Sequence, residues 1–322
     1  MKQKMIFAFR SICFVLVFLL LLTLSAQVFC PKGNGPEDGI HDHKQRSFLG
    51  EREDSIDVVV VGNSLGQCGF SPLDIWENYG ITVQVCASGN QKLYQSYDFL
   101  KELLDYHSPR MVILEAHAIM ITSTMQERVQ RQVENWFPAV RYHDRWKQLR
   151  VEDVFGPTSY TYTDDLKGYH YESIAEPARA QGYMEPSGDI EPIWDQNRKY
   201  MDQITRLCRD NGIQLILVSV PSIQCWDYPQ HNAVESLARE LDIPYWDLNL
   251  EWEAIGIDWS TDTYDWGNHM NYSGSRKVSA YVGQYLADAG LFTDKRGLAE
   301  YESWNEALAR FRRSIETGAP IQ

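Results

Sequence analysis

The run Asp57-Val58-Val59-Val60-Val61 constrains the fold more than any other segment of the chain. Consecutive β-branched residues lose side-chain freedom in a helix and suit a pleated strand. With no polar residue at alternate positions, such a strand must be covered on both faces, as in a parallel sheet lying between helices. Further short apolar runs follow at Thr82–Val85, Met111–Leu114, Leu215–Val220 and Tyr245–Asp247. Helical patterns separate them, at Pro72–Gly80, Leu93–Tyr106, Ser123–Trp136, Ile193–Asn211, His231–Leu241 and Gly274–Ala289. Strands alternating with helices predict an α/β fold, a three-layer α/β/α sandwich with about five parallel strands.

Ahead of this domain lies a different kind of segment. Ser11 to Phe29 is nineteen residues long and holds only Gln27 as a strongly polar residue, about the ~20 that cross a bilayer core as helix. Lys2, Lys4 and Arg10 precede it and no acidic residue occurs before Cys30. Basic residues on that side predict a cytoplasmic N-terminus and an extracytoplasmic remainder. Leu24 stands where a cleavage site after Ala26 requires a small residue, so residues 1–30 are expected to stay as an uncleaved signal anchor. Gln27-Val28-Phe29 lacks the small residues of a lipoprotein signal, which argues against lipidation of Cys30. The formal net charge is −14, and setting aside the three basic residues of the anchor leaves −17 for the rest. A field of that sign repels phosphate backbones and disfavours nucleic-acid binding.

Residues 31–54, rich in Gly, Pro, His and charge, read as a tether in which His41 and His43 are solvated rather than metal-bound. The sandwich is expected over residues 55–292, interrupted at about 137–191 by an irregular insertion, long enough to be a lid over the site. Residues 293–322 read as a surface helix and tail. Cys30, Cys68, Cys86, Cys208 and Cys225 show no metal-ligand spacing, so no metal is expected. Cys68 and Cys86 follow successive strands and stand where a disulfide is conceivable, but buried free thiols are the expectation.

In an open parallel sheet, ligands bind at the carboxyl ends of the strands. The first strand ends in Gly62-Asn63-Ser64-Leu65-Gly66, the second in Ala87-Ser88-Gly89-Asn90, the third in Glu115-Ala116-His117. Asp265-Trp266-Gly267-Asn268-His269-Met270-Asn271 precedes the last helix of the sheet domain. A serine hydroxyl is a poor nucleophile until a base takes its proton, and that base needs an acid to hold its tautomer. Ser64, His269 and Asp265 are the residues of those types at those places. The glycine turn alone equally fits a phosphate-binding turn or a plain tight connection. A nucleophile elbow of the α/β-hydrolase kind is disfavoured, because Ser64 follows the first strand of the domain.

Together, VVVVGNSLGQCGFSP and DWGNHMNYSG resemble the first and last blocks of the SGNH, or GDSL-like, hydrolase superfamily. Its membrane-anchored members include the D-alanine transfer and alginate O-acetyltransferase-like proteins. The resemblance covers about residues 55–122 and 193–290. It implies a flavodoxin-like sandwich with the SGNH hydrolase fold, acyl-ester hydrolysis or acyl transfer through Ser64, and His269 as base. It further implies an oxyanion hole from the backbone amides of Ser64 and Gly89. Two positions depart from the pattern. Asn63 stands where Asp is commoner, and the acid, normally three residues before the histidine, falls on Trp266. Asp265 lies four before, with Asp262 a weaker substitute. The third block lacks its usual Asn, so Asn90 or Asn63 is left to complete the hole, or two donors serve alone.

Asn63, Glu115, His117, His143 and Arg145 are possible substrate contacts. Each has a plainer reading: a structural histidine for His117, an ion pair or helix cap for Glu115, an ordinary packed loop for Tyr142-His143-Asp144-Arg145-Trp146. The expectation is an extracytoplasmic serine acyl-esterase or O-acyltransferase, free of cofactors. Its substrate would be an envelope glycan or an acylated small molecule, and a membrane-embedded acyl-donor protein its possible partner. A neutral glycan suits the charge, since an anionic polymer would need a local basic patch such as Arg141 to Arg150. The alternative is a non-catalytic SGNH-like protein that binds glycan or scaffolds an envelope complex.

Overall fold

The computed structural model describes residues 2–321, which divide into two compact units. Residues 44–122 and 163–321 form the larger one. It holds five parallel strands: β1 (Val58–Gly62), β2 (Val83–Ala87), β3 (Met111–Glu115), β4 (Gln214–Ser219) and β5 (Tyr245–Asp247). Their order is β2-β1-β3-β4-β5, the flavodoxin-like arrangement, in which the direction of winding switches between β1 and β3. Val61 lies beside both Cys86 and Leu114, which aligns the carboxyl ends of β2, β1 and β3.

All five residues of β1 are buried, as a strand covered on both faces requires. On one face Val58, Val60, Val83, Val85, Ile113 and Val218 pack with Ile75 of α3 (Pro72–Tyr79) and with Val278, Val282 and Leu286 of α11 (Tyr272–Asp288). On the other, α4 (Leu93–Leu103) and α8 (Asp195–Asp210) lie against the sheet and each other, with Leu100, Leu103, Met201 and Ile204 buried. The short α2 (Ser64–Gly69) follows β1, α9 (Tyr228–Leu241) links β4 to β5, and α10 (Trp252–Ile255) follows β5.

Two segments expected at the surface are built into this unit. Phe48 and Leu49 are buried in a 3₁₀ turn over Gln45–Gly50, and Lys167 reaches Glu51 at 2.6 Å with both side chains enclosed. The tether reading of residues 31–54 therefore fails from Lys44 onward, because these apolar residues are too few to show a period. The C-terminal helix α12 (Glu302–Thr317) is likewise more than a surface helix: Trp304 and Phe311 are each 1% exposed, and Trp304 packs against Trp76, ring centroids 5.6 Å apart and tilted by 45°.

The smaller unit comprises residues 2–43 and 123–162. Its α1 (Lys2–Phe29) has a mean hydropathy of 2.7 over its most apolar window and none of that window is buried. α6 (Pro138–Arg141) and α7 (Val151–Phe155) lie against α1, and α5 (Met125–Trp136) packs on α6. Residues 31–43 are tied down here, since Asn34 exchanges two hydrogen bonds with Tyr162 and Ser159 N–H donates to Lys32 O. The expected insertion at 137–191 is thus split, its first part in this unit and residues 163–191 in the larger one.

Candidate active site

β1 ends at Gly62, whose φ of 144° lies where a side chain is strained. A Cβ there would stand 2.6 Å from the Cβ of Glu115, so only glycine lets the chain turn this close to β3. Asn63 then caps α2: its Oδ1 accepts from Leu65 N–H at 2.9 Å. Ser64, the first residue of the helix, is left half-buried at the sheet edge.

Ser64 Oγ lies 2.8 Å from His269 Nε2, and His269 Nδ1 lies 2.6 Å from Asp265 Oδ2. The Asp265 carboxylate accepts a hydrogen bond from Nδ1–H, so Nε2 is the bare nitrogen that accepts from the serine hydroxyl. Asp265 Oδ1 also accepts from the His269 backbone N–H at 2.7 Å, clamping the acid to the residue it serves. The four-residue spacing closes without a helix. Trp266 and Gly267 are both left-handed, with φ of 56° and 89°, and this absorbs the additional residue. Gly267 N–H donates to Thr263 Oγ1 and its carbonyl accepts from Ile223 N–H. Asp262, the weaker candidate acid, is fully buried and paired with Lys277 at 2.6 Å, so it is spent on structure.

Tyr264, which no sequence pattern marks, lies flat against His269, with ring centroids 5.5 Å apart and planes 13° from parallel. Its hydroxyl meets Cys68 Sγ at 3.6 Å. The Cys68 thiol is pushed up to about 12 by burial, so it stands by as an uncharged group. It is free, as are Cys86 and the other described cysteines. Beyond Tyr264 comes His170, 6.2 Å away ring to ring, on the wall of a 570 Å³ cavity also lined by Lys44, Gln67, Tyr171 and Ile315. Residues 172–178 run beside the catalytic loop as a pinned strap rather than a free lid. Tyr272 N–H donates to Glu172 O, Glu176 N–H to Thr263 O and Ala178 N–H to Trp259 O.

The remaining candidates sort differently. Gly89 is exposed, with open space where a side chain would be. Asn90 adopts φ 57° and its Oδ1 accepts from Lys92 Nζ at 2.7 Å. Glu115 is fully buried beneath the Ser64 turn. Burial pushes its carboxyl up to about 8, against the pull of the N–H groups of His117, Ala118 and Asn63. It braces the turn and does not face substrate. His117 is held by Asn63 Nδ2 at 2.8 Å from its Nδ1. Burial, and then the nearby charge of His269, lower it to about 4. His143 and Arg145 belong to the smaller unit. Arg145 is spent there on Asp153, at 2.7 Å, and on the carbonyl of Phe29, which removes it as a substrate contact; His143 is exposed, its Nδ1 on Val140 O.

Among the described residues no group of three or more His, Cys, Asp or Glu side chains is placed to hold a metal ion. No protein-family model and no curated protein matches the sequence. Several solved structures resemble it. An acetyl xylan esterase is 13% identical with a TM-score of 0.39, over 73% of this chain and 99% of its own. A lipase/acylhydrolase from Enterococcus faecalis is 10% identical with a TM-score of 0.38, over 73% and 97%. A GDSL-like lipase from Bacteroides thetaiotaomicron is 16% identical with a TM-score of 0.36, over 73% and 89%. At that similarity the likeness says nothing of activity, which the side chains themselves must carry.

Proposed function

We propose that the chain is an SGNH-type serine acyl-ester hydrolase or O-acyltransferase, held at a membrane by α1 and acting outside the cytoplasm on an envelope glycan. The observation that carries this reading is the unbroken relay from Asp265 through His269 to Ser64, at 2.6 and 2.8 Å, on the carboxyl edge of a parallel sheet. His269 Nε2 takes the Ser64 proton as Oγ attacks the acyl carbon, while Asp265 steadies the imidazolium that forms. Collapse of the tetrahedral intermediate passes the proton to the leaving oxygen and leaves an acyl ester on Ser64. Water then completes hydrolysis, or a glycan hydroxyl, deprotonated by the same His269, completes transfer.

Three features support the finer parts of the proposal. The basic residues Lys2, Lys4 and Arg10 precede the apolar run, which favours an extracytoplasmic domain. A charge of −14 for the whole chain favours a neutral glycan over an anionic polymer. The cavity beside His170 is lined by the apolar or aromatic Tyr171 and Ile315 and the polar Lys44, Gln67 and Ser173, a mixture suited to a sugar face. Transfer is favoured over hydrolysis because an anchored domain works beside a membrane-embedded acyl donor.

The test is labelling by a fluorophosphonate probe and turnover of p-nitrophenyl acetate, comparing the intact protein with Ser64→Ala. Both signals should vanish in the variant. Unchanged turnover would overturn the serine mechanism and favour the non-catalytic glycan-binding alternative.

A further inference from the structure

The oxyanion that Ser64 chemistry creates needs hydrogen-bond donors aimed at it. Among the described residues a donor of another kind is paired with Asn63, the residue before Ser64. β1 and β3 are neighbours, with Val61 beside Leu114, so the residues following each strand face the same space. After β1 comes Asn63, whose Oδ1 accepts from Leu65 N–H at 2.9 Å. That bond fixes which way the amide points, so its Nδ2 is the donor that meets His117 Nδ1 at 2.8 Å. With Nδ1 accepting, the proton of the neutral imidazole sits on Nε2. The backbone is held as well, because His117 N–H donates to Glu115 Oε1 at 2.9 Å. Trp226 meets the imidazole as a T-shaped neighbour at 6.3 Å.

We propose that His117 is a catalytic residue, its Nε2–H set by Asn63 to donate a hydrogen bond to the oxyanion formed at Ser64. The proposal rests on the serine acyl-transfer reading. As the Ser64 Oγ–carbon bond forms, the carbonyl π pair moves onto oxygen and the Oγ proton passes to His269 Nε2. His117 donates to that oxygen and keeps its own proton. When the intermediate collapses, the pair returns, the bond to the leaving oxygen breaks, and His269 supplies the proton. A neutral donor is the useful form here. A cationic His117 beside His269 would lower the basicity of the residue that must take the serine proton, and burial keeps His117 uncharged at neutral pH.

The full chain in detergent serves for the test, with p-nitrophenyl acetate as substrate and a fluorophosphonate as probe. His117→Ala should cut kcat by ~10²–10³ with KM little changed and Ser64 still labelled, and His117→Gln, which offers an amide N–H, should recover part of the loss. Asn63→Asp is the sharper variant. A carboxylate at that place accepts from Nδ1–H, the proton leaves Nε2, and kcat should fall although His117 is intact. Imidazole ¹⁵N spectra of the unsubstituted protein should show Nε2 protonated and Nδ1 bare at neutral pH. The opposite tautomer overturns the proposal whether or not any variant folds. So does His117→Ala that keeps kcat within threefold while Ser64→Ala is inert. An active Ser64→Ala instead overturns the serine mechanism itself.

Discussion

Glu115→Gln isolates one titration and should reverse its own sign with pH. The Glu115 carboxyl is fully buried and pushed up from 4.5 to about 8 by burial. Between those values the folded protein holds a proton that the unfolded chain has released. Stability therefore falls as pH rises through that window, by about 1.4 kcal/mol per pH unit and roughly 5 kcal/mol in all. His117 works in the opposite sense: lowered from 6.5 to about 4, it stays neutral in the fold while the unfolded chain takes a proton. Its contribution to stability is lost as pH drops through that interval. The two effects oppose one another up to pH 6.5, so the clean window for Glu115 runs from 6.5 to 8. There the unsubstituted protein should lose about 2 kcal/mol and the glutamine variant none. Glutamine has a cost of its own. Oε2 of Glu115 has no partner, so the new amide buries donors without acceptors, about 1–3 kcal/mol. The variant should thus be the less stable protein at pH 5 and the more stable one at pH 8. Urea denaturation in detergent, followed by tryptophan fluorescence at half-unit pH steps, measures both curves. Parallel curves from pH 6.5 to 8 would refute the assignment of a neutral buried carboxyl under the nucleophile.

The remaining predictions concern the catalytic loop and the ties that hold the larger unit. Asp265→Asn replaces the acceptor of Nδ1–H at 2.6 Å by an amide that favours the wrong tautomer, and kcat for p-nitrophenyl acetate should fall by ~10⁴ with Ser64 in place. Gly267→Ala puts a side chain at φ 89° and within 2.9 Å of Ala178 Cβ. The backbone strain alone is about 1–2 kcal/mol, and turnover should fall further than that loss of stability explains, since His269 is two residues away. Lys167→Met leaves Glu51 buried without its partner at 2.6 Å, a loss of about 3–5 kcal/mol in denaturant unfolding that Glu51→Leu in the same chain should largely restore.

What could be read from the sequence follows from how local each determinant is. β1 and the Gly62–Gly66 turn are legible because burial on both faces and a left-handed turn impose themselves on consecutive residues. Ser64 and His269 are legible as strand-end and pre-helix residues in the order one mechanism requires. Asp265 is legible as a residue but not as geometry, because its spacing works through the left-handed Trp266 and Gly267 and not through a helical turn. Phe48 and Trp304 are not legible, since each is placed by partners far along the chain and neither belongs to a periodic run; nor is Tyr264, whose stacking on His269 depends on the irregular loop between them. The pairing of Asn63 with His117 lies between these cases. Fifty-four residues separate them, and no motif spans that gap, yet each ends a strand, and β1 and β3 are adjacent. Sheet order is therefore the missing term: only once β3 is known to lie against β1 do Asn63 and His117 come within reach of each other.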